Sequence, residues 1–144
     1  MRLIIYSLIL AAIFLALISE GQTTKEEGPS YTGSETQIVE QILEDEGNHP
    51  FIKDAKLEYT LWDKTRVDAL TSTHAIEADW SYKWAEAIGQ SLYYAEVTGK
   101  KPGIILLIKD EAKEQKYIYR CQTVANKHGI EIWLIETHKE ESNE

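Results

Sequence analysis

The stretch RVDALTSTHAIEADW, residues 66–80, alternates apolar and polar residues on either side of a short Thr-Ser-Thr turn. That alternation, rich in β-branched residues, reads as two strands, TRVDALT (65–71) and HAIEADW (74–80), joined near Ser72 and Thr73. Its charge is unusual, because Asp68, Glu77 and Asp79 stand among apolar neighbours. Successive side chains of a strand point to opposite faces, so Glu77 and Asp79 share one face and Ile76, Ala78 and Trp80 the other. Asp68 shares its face with Arg66 and Leu70, and pairing through the turn brings it close to Glu77. Two or three hard oxygen donors at one spot suit Mg²⁺ or Mn²⁺, which keep several waters and take few protein carboxylates. The plainer reading is a solvated sheet face.

Working outward, SYKWAEAIGQSLYYAEVTG (81–99) has helical periodicity, with Ser81 as its cap, Gly99 as its stop and an apolar stripe of Ala85, Ile88, Leu92 and Ala95. Lys83, Glu86 and Gln90 form a polar stripe on the same helix. Lys83 lies four positions beyond Asp79, where its charge eases repulsion among the acids and can approach a scissile phosphate. GIILLIKD (103–110) is the near-continuous apolar run of a central buried strand. A helix over 111–128, stopped by Gly129, and a strand IEIWLIE (130–136) complete the C-terminal half. Before the opening stretch, ETQIVEQILEDEG (35–47) is a helix capped by Ser34, and LEYTLW (57–62) a half-buried strand that turns at Asp63 and Lys64. The order α-β-β-β-α-β-α-β predicts a three-layer α/β sandwich with a mixed central sheet, an antiparallel meander followed by parallel strands.

Residues 3–18, LIIYSLILAAIFLALI, are uncharged and follow Arg2, the layout of a secretory signal cut before Gln22. The expectation is an exported protein, periplasmic or secreted. Because the run is a little shorter than the about 20 residues of a bilayer span, membrane anchoring is the alternative. Residues 22–34 read as a disordered linker, 35–137 as the folded domain and 138–144 as a polar tail. The single cysteine, Cys121, excludes an intramolecular disulfide and reads as a small buried hydrophobe. A net charge of −9 argues against a broad electrostatic grip on nucleic acid. The histidines, His74 beside the acids included, have no zinc spacing, and no P-loop or dinucleotide fingerprint occurs.

An acid in one strand, E-x-D in the next, and then a helix reading KWAEAIGQSLYYA resemble the PD-(D/E)XK, restriction-endonuclease-like nuclease superfamily, most of all its RecB-like branch. The resemblance covers residues 35–110, roughly half the chain. It implies a restriction-endonuclease-like core and metal-dependent hydrolysis of phosphodiester bonds in DNA or RNA. Asp68 and Glu77 would fill the two acid positions and, with Asp79, bind Mg²⁺ or Mn²⁺. Gln90 and Tyr94 would be the helix motif that orients substrate. One departure stands out: Asp79 occupies the position of the family's lysine, and Lys83 would supply the catalytic cation from the following helix. Two other readings remain, a nuclease-fold binding module without turnover and a small exported interaction protein with an incidental acid cluster.

Overall fold

A computed structural model describes residues 29–137. The signal or anchor expected over 1–21, the linker up to residue 28 and the tail 138–144 lie outside the described residues. The elements are α1 (Glu35–Glu44), β1 (Lys56–Thr60), β2 (Arg66–Leu70), β3 (His74–Trp80), α2 (Trp84–Thr98), β4 (Lys101–Ile108), α3 (Glu111–His128) and β5 (Glu131–Glu136), in the order expected. The five strands form one open mixed sheet in sequence order: β1, β2 and β3 antiparallel, β3, β4 and β5 parallel.

Local chemistry explains most element ends. Ser34 and Gln37 form a reciprocal capping box at the start of α1, which ends at Glu44, before Gly47. Asp110 caps α3 by accepting from the Lys113 N–H. Gly99 and Gly129, both at φ +66°, stop α2 and α3 in the left-handed conformation that glycine adopts without a steric penalty.

Helices cover both faces, an arrangement compatible with a three-layer sandwich. On one face Ile76, Ala78, Ile105, Leu107 and Ile135 pack against Ile38, Val39 and Ile42 of α1. On the other, Ile104, Leu106 and Ile108 meet Ala87 and Ile88 of α2 and Ile118, Cys121 and Ala125 of α3. The IILLI run is therefore buried on both sides, each side chain contributing about 1.5–3 kcal/mol. Gly103 in β4 admits the Trp133 indole: a Cβ there would stand 2.7 Å from the ring, which stacks on Phe51 at 4.2 Å. Cys121 is fully buried and burial pushes its thiol up to about 11, so it serves as a small hydrophobe.

Three readings need correction. Ser81 does not cap α2; Ser81–Lys83 form a 3-10 turn, and the Ser81 hydroxyl donates to Glu114 of α3. The buried stripe of α2 is Ala87, Ile88, Ser91, Tyr94 and Ala95, with Ala85 exposed, because the helix starts at Trp84 and its phase is set by the strands beneath it. The domain also begins before residue 35: Tyr31 is buried and bridges in parallel to Thr137. Among the described residues no helix is long and apolar enough to cross a membrane.

Candidate functional site

β3 is the middle strand of the sheet, so both its faces are covered, and the acids on its α2-facing side are buried with it. Glu77 is 6% exposed and Asp79 3%. They lie beside Ile104 and Leu106 of β4 in the parallel register. Parity therefore holds for this pair.

Asp68 reaches them by a different route from the one alternation predicts. The β2–β3 ladder pairs Leu70 with Ala75 and Ala69 with Ile76, and its register then stops. Asp68 Oδ2 accepts from the Ala78 N–H at 2.8 Å, a donor that a regular ladder would give to a β2 carbonyl. The β1–β2 register also skips Glu58 and Asp68, with Glu58 at φ +52° and tied to Arg66 at 2.6 Å. Val67 and Ala69 consequently pack into different clusters, although alternation would put them on one face. The Asp68 carboxylate thus reaches across the sheet toward β3 rather than sharing a regular face with Arg66 and Leu70.

Lys83 takes up the position expected of it beside Asp79. Its Nζ is 3.1 Å from Asp79 Oδ1, and 3.0 Å from Glu35 Oε1 on the first turn of α1. Hydrogen bonds to Glu35 and then Asp79 hold its ammonium well above the usual lysine range. Glu35 is a site residue that the sequence reading missed. It follows the N-cap of a helix on the opposite face, where an acid is ordinary complementation of the helix dipole. Only the packing of α1 brings it over the C-terminal end of β3.

The electrostatics show what the cluster lacks. Burial, followed by the charges of Asp68 and Asp79, pushes Glu77 up to about 9. Burial raises Asp68 to about 6, against the Ala78 hydrogen bond, and Asp79 to about 6, against Lys83. Glu77 Oε2 is buried without a hydrogen-bond partner. Tyr94, 4% exposed, is raised to about 12 by burial and then by the charges of Glu77 and Asp68, while the neighbouring Gln90 amide opposes the shift. The fold therefore gathers Asp68, Glu77, Asp79, Lys83, Gln90 and Tyr94 in one region and adds Glu35. It leaves His74 out. That residue lies at the other end of β3, with Nδ1 2.8 Å from the Thr73 hydroxyl, Nε2 2.9 Å from Glu131 Oε2 and its ring edge-on to Trp133, a structural role.

The donor chemistry suits a hard divalent cation: carboxylate oxygens, one of them orphaned, with more negative charge than Lys83 offsets. Among the described residues, no three acid, histidine or cysteine side chains stand grouped at metal-holding spacing. Asp68 and Asp79 are each drawn toward a nitrogen, the Ala78 amide and the Lys83 ammonium. No protein-family model, curated protein or solved structure matched the chain.

Proposed function

We propose that this protein is a metal-dependent nuclease-like phosphodiesterase on a restriction-endonuclease-like core. Glu77 carries the reading: its side chain is 6% exposed, its Oε2 has no partner, and Asp68 and Asp79 flank it. A buried carboxylate without a donor is costly unless a proton or a cation meets it. Asp68, Glu77 and Asp79 would hold Mg²⁺ or Mn²⁺. Such an ion would supply the positive charge that polarises a phosphate and makes water nucleophilic at neutral pH. Lys83, fixed by Asp79 and Glu35, sets a permanent cation at the rim of the cluster, facing the charge that develops on a phosphate. Gln90 lies beside Tyr94, and the two would orient substrate beside the acids. The uncharged run 3–18 after Arg2 supports export, periplasmic or secreted, with membrane anchoring by that run as the alternative, and cell fractionation tests between them.

A second reading rests on Lys83. Carboxylates engage it on two sides, as they would a structural counter-charge, and the core would then be a binding module without turnover. One assay separates the two. The full chain in mild detergent is incubated with single- and double-stranded DNA and RNA, with Mg²⁺, Mn²⁺ or chelator, beside Glu77→Ala and Lys83→Ala. Metal-dependent cleavage lost in both variants supports the nuclease with Lys83 as its catalytic cation. Cleavage lost only in Glu77→Ala keeps the enzyme and removes Lys83 from catalysis. A folded protein that binds Mn²⁺ and cuts nothing is the binding module.

A further inference from the structure

The outer face of α3 carries a positive ridge on an acidic chain. Lys113, Lys116, Arg120 and Lys127 are all exposed. Their spacing puts them within a sector of roughly 60° and along about 21 Å of helix axis. Ile118, Cys121 and Ala125, on the opposite side of the helix, are buried. Lys113 is paired with Asp110 at 2.6 Å, but Lys116, Arg120 and Lys127 pair with no carboxylate among the described residues. The Lys116 ammonium lies 4.7 Å over the Tyr117 ring. The two acids of α3 stand off the ridge. Glu111 accepts from the Gln115 amide, and Glu114 from the Ser81 hydroxyl and the backbone amides of Lys109 and Asp110.

The Glu114 contact also fixes where the ridge leads. Ser81–Lys83 is the turn that follows Asp79, so the N-terminal end of α3 is tied to the backbone that carries Lys83. The ridge is narrow. Glu86 and Glu96 are exposed on α2, which packs beside α3, and Glu131 and Glu136 are exposed on β5. Packed helix axes lie about 8–10 Å apart, close to the screening length of about 10 Å at 0.1 M salt. A broad anionic surface laid on this face would meet those carboxylates together with the cations. A linear polyanion follows the ridge and avoids them.

We infer that the outer ridge of α3 binds the phosphate backbone of a nucleic acid, by charge and without reading its bases, and leads it toward Lys83 and the acid cluster. Each strand of a duplex supplies an unbroken line of charge, about one per 3.4 Å of axis, so every cation of the ridge finds a phosphate whatever the register. This inference rests on the nuclease-like reading and names the surface by which that site would hold its substrate.

The test is fluorescence anisotropy of the full chain in mild detergent and chelator, with labelled duplex DNA at about 50 and about 200 mM salt. Three contacts give log K a slope of about −2.7 against log salt, or about fortyfold weaker binding at the higher salt. Lys116→Gln, Arg120→Gln and Lys127→Gln combined should weaken binding at the lower salt at least about tenfold and bring the slope near zero. Lys53→Gln, Lys56→Gln and Lys101→Gln combined, an equal loss of charge at exposed lysines elsewhere, should leave affinity and slope unchanged. No binding, a slope that the ridge variant keeps, or an equal loss in the control variant overturns the inference. So does polyglutamate that displaces DNA at equal charge concentration, which would make the ridge a site for an acidic protein. Ridge-dependent binding without metal-dependent cleavage keeps the ridge and removes the nuclease. Cleavage whose kcat/KM the ridge variant leaves unchanged does the reverse.

Discussion

Ile76 and Ala78 alternate with Glu77 and Asp79 along β3, and all four are nearly inaccessible to water, at 0, 3, 6 and 3% exposure. The first pair faces α1 through an unbroken apolar layer. The second faces α2, and burial there raises the proton affinity of both carboxylates. Burial in this sheet follows from the strand's central position, with a helix layer on each side, and not from the polarity of what the strand carries. One face of β3 therefore stabilises the fold, while the other holds charges against the cost of desolvation. That division between packing and chemistry is what substitutions can break or sharpen.

The largest effect should come from the apolar face. Leu107→Ala leaves a cavity under α1 and should cost about 2–5 kcal/mol in denaturant-monitored unfolding. Gly103→Ala forces a methyl against Trp133 and should cost about 1–3 kcal/mol, with a changed near-ultraviolet signal from the Trp133–Phe51 stack. On the acid face, Lys83→Met removes the counter-charge of Asp79 and Glu35. With Lys83 about a third exposed, solvent screening limits the loss to about 1 kcal/mol, read as a fall in Tm.

Glu77→Gln is the sharpest contrast, since it removes the ionisable proton of a buried carboxyl and keeps the shape. Stability at neutral pH should be unchanged or raised by up to about 1 kcal/mol, although the position is as buried as Ala78. The sign with pH follows from the raised values. In the folded state these carboxylates hold protons more tightly than in the unfolded chain. Their contribution is present in full below the ordinary carboxylate range. It falls as pH rises through about 6 for Asp68 and Asp79 and about 9 for Glu77. Unfolding curves across that window should show stability declining with pH, and Glu77→Gln should flatten its alkaline half.

Much of the architecture was legible because local signals agreed with one another. IILLI could only be a strand covered on both sides, and Ser34, Gly99 and Gly129 marked helix ends by their own backbone chemistry. The approach of Asp68 to β3 followed from the hairpin, though not by the expected register, and Lys83 beside Asp79 followed from spacing. Context was harder to read. Ser81 looks like a cap by residue type, but Glu114, 33 residues later, takes its hydroxyl. Asp68 leaves its expected face where the β1–β2 register skips it and Glu58, the latter at a positive φ, an irregularity that no alternation pattern reveals. Glu35 enters the site through packing of a helix 48 residues from Lys83, and nothing in its own neighbourhood distinguishes it from a surface acid.

Manganese binding at the acid face tests the division most directly. Calorimetric titration of the full chain with Mn²⁺ near pH 7, run in buffers of different protonation enthalpy, reports both affinity and proton release. Binding should expel a proton from the cluster, because Glu77 is held protonated by burial and must ionise to act as a ligand. Glu77→Gln should abolish both the binding and the proton release, while Leu107→Ala, still folded, should retain both. Absence of Mn²⁺ binding in the wild-type chain, or binding that Glu77→Gln leaves untouched, would contradict a cation site at these carboxylates.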